Sequence, residues 1–210
     1  MPGSRPHPHP ARVPGRPRCP RTRQGILQAT IAILREQGFA ALTMEGVAAR
    51  AGVGKSTVYR TWPDKASLAL DSFFCALSPR LPFRDTGSVR ADFQRQMELV
   101  VREMNGPDGR LLASIVAAAG LDDGVAAAFR ARWQSLRRAE GQAAIDRGIA
   151  RGELPADLDP GFLFDVLYSP FYYRLLVRHA PLDRRLVRQL VDTVFDGLAR
   201  RGARRPQPKD

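Results

Sequence analysis

Five side chains within six residues, Lys55, Ser56, Thr57, Tyr59 and Arg60, carry hydrogen-bond donors suited to a polyanion. Val58 and Trp62 are i, i+4 partners, so a short helix anchored through them turns Lys55, Ser56, Tyr59 and Arg60 outward, with Thr57 beside them. A helix held by two apolar residues, with donors on its other face, is what reading base edges in a DNA major groove requires. Thr43 and Lys65, on either side of this helix, add a hydroxyl and an ammonium that can hold phosphates, as can Tyr59.

The elements that must position these groups are legible nearby. Met44, Val47, Ala48 and Ala51 recur at i, i+3, i+4 and i+7 and give a preceding helix one apolar side. Thr43 stands at its N-cap, and Glu45 lies in its first turn, where a negative charge suits the helix dipole. Gly52 fits the left-handed residue that closes such a helix, and Gly54 opens the next. Pro63 and Asp64 stop that one and cap a third, which begins at once. Ahead of the pair, a helix from Arg23 to Gln37 has its inner face in Ile26, Leu27, Thr30, Ile31, Ile33 and Leu34.

The segment Ala51-Gly52-Val53-Gly54-Lys55, followed by Thr57-Val58-Tyr59-Arg60, Trp62-Pro63 and Lys65, resembles the DNA-binding half of the TetR family of bacterial transcriptional regulators. The resemblance covers about residues 21–77, including Gly38-Phe39 after the first helix. One departure is Gly46, where a bulkier residue is expected; it weakens its helix by up to ~1 kcal/mol relative to Ala. The resemblance implies an all-α chain, with a three-helix helix-turn-helix domain followed by a larger helical domain for ligand binding and dimerisation. It further implies a homodimeric regulator, a repressor in most such proteins, that binds a palindromic double-stranded operator and is released by a small-molecule effector. No cofactor or metal is implied, and the place of action is the bacterial cytoplasm, at the nucleoid.

Two rival readings come from other classes. Ala49 to Ser56 is one residue away from the phosphate-cradling G-x-x-x-x-G-K-[ST] loop. That loop needs a buried strand before it, whereas the residues ahead of Ala49 are Ala-rich, with helical spacing and no β-branched run. A nucleophile elbow, an H-E-x-x-H helix, a G-x-G-x-x-G turn and paired Cys ligands are all missing, and three His leave few players for acid–base chemistry, so no enzyme is expected. A basic protein that merely coats nucleic acid would explain the charge but has no need of a neutral, aromatic-rich body.

The net charge of +12 is unevenly placed. Residues 1–70 hold 11 basic against 3 acidic side chains and residues 200–210 hold 5 against 1, while the stretch between is balanced at 17 of each. Positive charge therefore collects at the DNA-reading end and the tails, where each phosphate contact releases counterions. Only three of the 33 basic residues are Lys, so the Arg excess partly follows from GC-rich coding; Lys55 and Lys65 both fall within the motif. Residues 1–20, with seven Pro and no acidic residue, are expected to stay unfolded, as either a phosphate-following arm or a solvated tail, and 201–210 form a second basic tail. No apolar run reaches the ~20 residues that span a bilayer. Two unpatterned cysteines suit a reducing compartment.

Residues 78–200 read as all helix, after a break at Ser78-Pro79-Arg80-Leu81-Pro82 that marks a domain boundary. Helices are expected from Phe93 to Met104, from about Arg110 to Leu121 and from 124 to about 151, the last with Phe129, Trp133 and Leu136 on one face. Two more, 160–179 and 184–200, close the domain. Six of the sixteen aromatics crowd into residues 162–173, making a helix apolar nearly all round that Pro170 should kink. The resemblance implies that residues 160–200 pair with their symmetry mates; spacing by itself equally allows an intrachain core. It also implies an effector pocket, for which Met97, Met104, Phe129, Trp133 and Tyr168 are candidates by their aromatic or adaptable character.

Overall fold

The computed structural model describes residues 20–203. Ten α-helices follow in order: α1 (Pro20–Gln37), α2 (Met44–Ala51), α3 (Lys55–Tyr59), α4 (Lys65–Leu77), α5 (Val89–Asn105), α6 (Pro107–Ala119), α7 (Asp123–Phe129), α8 (Ser135–Ala150), α9 (Pro160–Val177) and α10 (Arg184–Ala203). No strand occurs among the described residues. The Pro-rich arm expected at 1–20 lies outside them up to Cys19, as does most of the basic tail expected at 201–210.

Local chemistry sets most boundaries. Asp64, Asp122, Asp159 and Asp183 each accept backbone N–H groups at the start of α4, α7, α9 and α10. Pro107 and Pro160 occupy first-turn positions where a missing N–H costs nothing. This starts α6 three residues before the expected Arg110. α9 runs through Pro170 without ending.

One correction concerns the expected helix from 124 to 151. It runs on from α7 to α8, but Arg130–Gln134 form a π turn, with the Ser135 N–H reaching the Arg130 carbonyl. One extra residue per turn rotates everything after it by about 100°. Phe129 and Trp133 consequently face inward, whereas Leu136, expected beside them, is exposed.

A continuous core joins the first four helices to the rest. α1 packs on α2 and α4; α5 packs on α6, α8, α9 and α10; α4 leans on α7 and the π turn. Gly109 marks the tight α5–α6 corner, since a Cβ there would sit 1.7 Å from the Met104 carbonyl oxygen.

The head and the body are also locked electrostatically. Asp108, buried in the first turn of α6, takes a bidentate pair from Arg35 of α1, Nε at 2.8 Å and Nη2 at 2.9 Å, and a third bond from Arg80 Nη2 at 2.6 Å. Arg80 also reaches Glu103 at 2.7 Å. Hydrogen bonding from Arg35, opposed by burial and helped by Arg80, holds the Asp108 carboxyl below its ordinary value. A depressed folded pKa contributes stability above the unfolded value of about 3.9 and loses it as pH falls through the folded one. Asp108→Asn should therefore lower stability at pH 6 and flatten the loss of stability below about pH 4, as read from urea melts across that range.

Candidate nucleic-acid interface

Thr43 is extended, and its Oγ1 accepts the Gly46 N–H at 3.0 Å, capping α2. A Cβ at position 46 would approach that same Oγ1 to 3.0 Å, which gives the departure at Gly46 a local reason. Met44, Val47 and Ala48 are buried, as the spacing requires, while Ala51 is half-buried. Gly52 takes φ 64° and hands the chain over, with Val53 N–H bonded back to the Ala48 carbonyl at 3.0 Å. Gly54 is extended ahead of α3, whose Val58 is fully buried. Trp62 follows one turn later, 1% exposed, its N–H on the Val58 carbonyl at 3.0 Å.

Lys55, Ser56, Tyr59 and Arg60 are exposed and Thr57 is half-buried, so one short helix presents all five together. Thr43 and Lys65 are exposed at its flanks, and Lys65 Nζ lies 5.2 Å from the centre of the Phe39 ring. Glu45 has a second role that sequence reasoning missed. Its Oε1 lies 3.4 Å from the Tyr59 hydroxyl and 3.7 Å from Lys55 Nζ, holding both over the α2–α3 face. The i, i+3 logic used on α2 concerns its buried side and has no view of a partner 14 residues away.

Within the body, a cavity of about 70 Å³ is lined by Gln96, Val100, Met104, Trp133, Arg137 and Tyr168, among others. Met104, Trp133 and Tyr168 were sequence candidates. Met97 and Phe129, the other two, are buried in the core and are not among the lining residues. Gln96, Arg137 and Arg138 line it without having been foreseen. Tyr168 donates to Gln96 Oε1, and Trp133 Nε1 donates to the Tyr172 hydroxyl at 2.8 Å. Burial pushes both Tyr hydroxyls up from their ordinary values, so both stay neutral near pH 7, Tyr168 as a donor and Tyr172 as an acceptor.

Residues 26–71 match the profile described as bacterial regulatory proteins, tetR family, and residues 83–194 match that of the tetracyclin repressor-like C-terminal domain. The chain belongs to the TetR family of bacterial transcription regulators. It is 35% identical to the HTH-type transcriptional regulator YdeS of Bacillus subtilis, over 88% of this chain and 93% of that one. It is 30% identical to the DNA-binding transcriptional repressor TetR of Mycobacteroides abscessus, over 85% and 94% of the two chains. The crystal structure of the TetR family transcription regulator SCO0332 superimposes with a TM-score of 0.76 at 37% identity, covering 84% of this chain and 97% of that one. This TetR-family chain is thus a helix-turn-helix DNA-binding regulator, a non-enzymatic class, and the hydrolase-loop reading of residues 49–56 falls because α2 stands where that loop requires a strand.

One carboxylate ties the reading helix of this regulator to its body. Asp71 of α4 accepts the Trp62 indole N–H at 2.8 Å, pairs with Arg132 of the π turn, and lies 3.6 Å from Arg23 of α1. The next residue after Arg132 is Trp133, which stacks on Phe74 of α4 at 4.5 Å and 12°. Neither link has a sequence signature, because both join residues about 60 positions apart. Asp71→Asn leaves Arg132 without its charge partner and should cost about 1–3 kcal/mol of unfolding free energy, measurable by denaturant titration.

Proposed function

We propose that this chain is a homodimeric repressor that binds an inverted-repeat operator and leaves it when a small effector enters the body. The observation that carries the reading is α3 itself, anchored by Val58 and Trp62 and otherwise all donors. In this scheme residues 21–77 read DNA and 78–200 sense and dimerise. Lys55, Ser56, Thr57, Tyr59 and Arg60 face the groove, and Thr43, Tyr59 and Lys65 hold phosphates. The Mycobacteroides abscessus relative, named as a repressor, supports the sign of regulation. A cytoplasmic site of action follows from a DNA target; among the described residues no helix is long and apolar enough to cross a membrane.

Dimerisation draws support from α9. Leu163, Phe164, Leu167, Phe171 and Leu175 are buried within the chain, whereas Phe162, Tyr173, Leu176 and Val177 are left 43–65% exposed. With Val166 and Ser169 these positions recur at three- and four-residue steps, so an apolar stripe faces outward. A second copy of the same helix pair covers such a stripe isologously, and it sets the two reading heads one helical turn of DNA apart.

Release follows from a population shift. An effector that prefers one spacing of the heads lowers DNA affinity by its differential binding to the two states. α4 carries the movement, through the Trp133–Phe74 stack and the Asp71 bonds to Arg132 and Trp62.

Binding to a randomised duplex pool, at several salt concentrations, separates the proposed roles. Lys65→Ala should weaken all sequences about equally and lower the salt slope by roughly one. Arg60→Ala should relax preference at specific positions; an unchanged specificity ratio would remove Arg60 from base reading. Phe162→Glu combined with Tyr173→Glu should sediment as a monomer and lose the preference for paired half-sites.

A further inference from the structure

The cavity in the body carries more than its size. Its lining includes two arginines, Arg137 and Arg138, and no acidic residue. Arg138 sits at the rim and pairs with Asp165 at 2.5 Å. Arg137 is 8% exposed, with Nη2 donating to the Leu81 carbonyl and forming an ion pair with Glu140 Oε2 at 2.5 Å. No acceptor of the described chain reaches its Nη1. A buried guanidinium with an unmatched donor is costly, and an acceptor carried by an occupant relieves that cost.

The other walls are flat. The Trp133 ring lies under the Arg137 guanidinium at 5.8 Å, and the Tyr168 ring stacks on Phe164 at 5.5 Å and 17°. The nearby polar groups on these rings are already satisfied: Tyr168 donates to Gln96 and Trp133 to Tyr172. The unmatched Arg137 donor is therefore what a polar ligand atom would answer, and the ring faces are what its body would meet.

We propose that the cavity binds a small planar aromatic anion, its carboxylate accepting from Arg137 and its ring packed between Trp133 and Tyr168. This rests on the effector-responsive reading above and names the chemical class of the effector. Size links binding to response. The cavity of about 70 Å³ is well under the ~150 Å³ that accepts a benzene ring, so an aromatic occupant must displace a wall. Trp133 is the wall stacked on Phe74 of α4, and its displacement is passed to the helix that holds Trp62 through Asp71.

The test is calorimetric titration of the full-length protein with matched pairs: benzoate and benzamide, salicylate and salicylamide, 2-naphthoate and 2-naphthamide. The expected result is that at least one acid binds ten-fold or more tightly than its amide. Arg137→Gln should collapse that ratio to near one, and the preferred acid, but not its amide, should release bound operator DNA. Since the ratio is read on the unmodified protein, it holds even if Arg137→Gln folds poorly. Equal affinity within every pair, or no binding by any of the acids, overturns the proposal. Selection of an operator by the unliganded protein is scored separately: intact selection without acid preference removes this inference and leaves the regulator reading standing.

Discussion

A fully buried indole must find an acceptor for its N–H, and the carboxylate that supplies it fixes how this regulator is put together. Trp62 anchors the short reading helix, and truncating a core Trp to Ala typically costs about 3–5 kcal/mol. Asp71 satisfies the indole and is itself held by Arg132 and Arg23. Helix α3 has only five residues and cannot hold its own orientation. Its pose is set from behind, by α4 and by whatever α4 leans on. A carboxylate shared among three elements makes head position a property of the body.

The Asp108 cluster does complementary work at the other end of the head. Arg35 and Arg80 converge on one buried carboxylate, so α1 and the α4–α5 linker are referred to the same point on α6. The head is thus gripped at two places, through α1 by Asp108 and through α4 by the Trp133–Phe74 stack and Asp71. In the proposed release, a shift of the π turn acts on the second grip and leaves the first as a pivot. The π turn lies where such a device is expected, since single π turns inside α-helices occur frequently at functional sites.

The sequence was most legible where structure is local. Thr43, Gly52, Gly54 and Asp64 have cap or turn chemistry that needs only three or four neighbours, and Val58 with Trp62 needs one helical turn. The caps and the exposed side of α3 could therefore be read residue by residue. Leu136 was misplaced because regular periodicity cannot see the extra residue in a π turn. Glu45 reaches Tyr59, Asp71 reaches Arg132, Asp108 reaches Arg35 and Arg137 reaches Leu81 across 14 to 73 residues, and a single sequence offers no signal for such pairs. In α9 composition alone was ambiguous: apolar nearly all round, it turns out to be covered by its own chain on one side and bare on the other.

The most direct test of the account is selection of genomic DNA fragments at physiological salt, with wild type and Tyr59→Ala side by side. The account predicts that wild type recovers a short inverted repeat and that the substitution, which removes an exposed donor from the centre of the reading face, loses it. Recovery of unrelated fragments by both proteins would contradict it and leave only a basic DNA-coating protein.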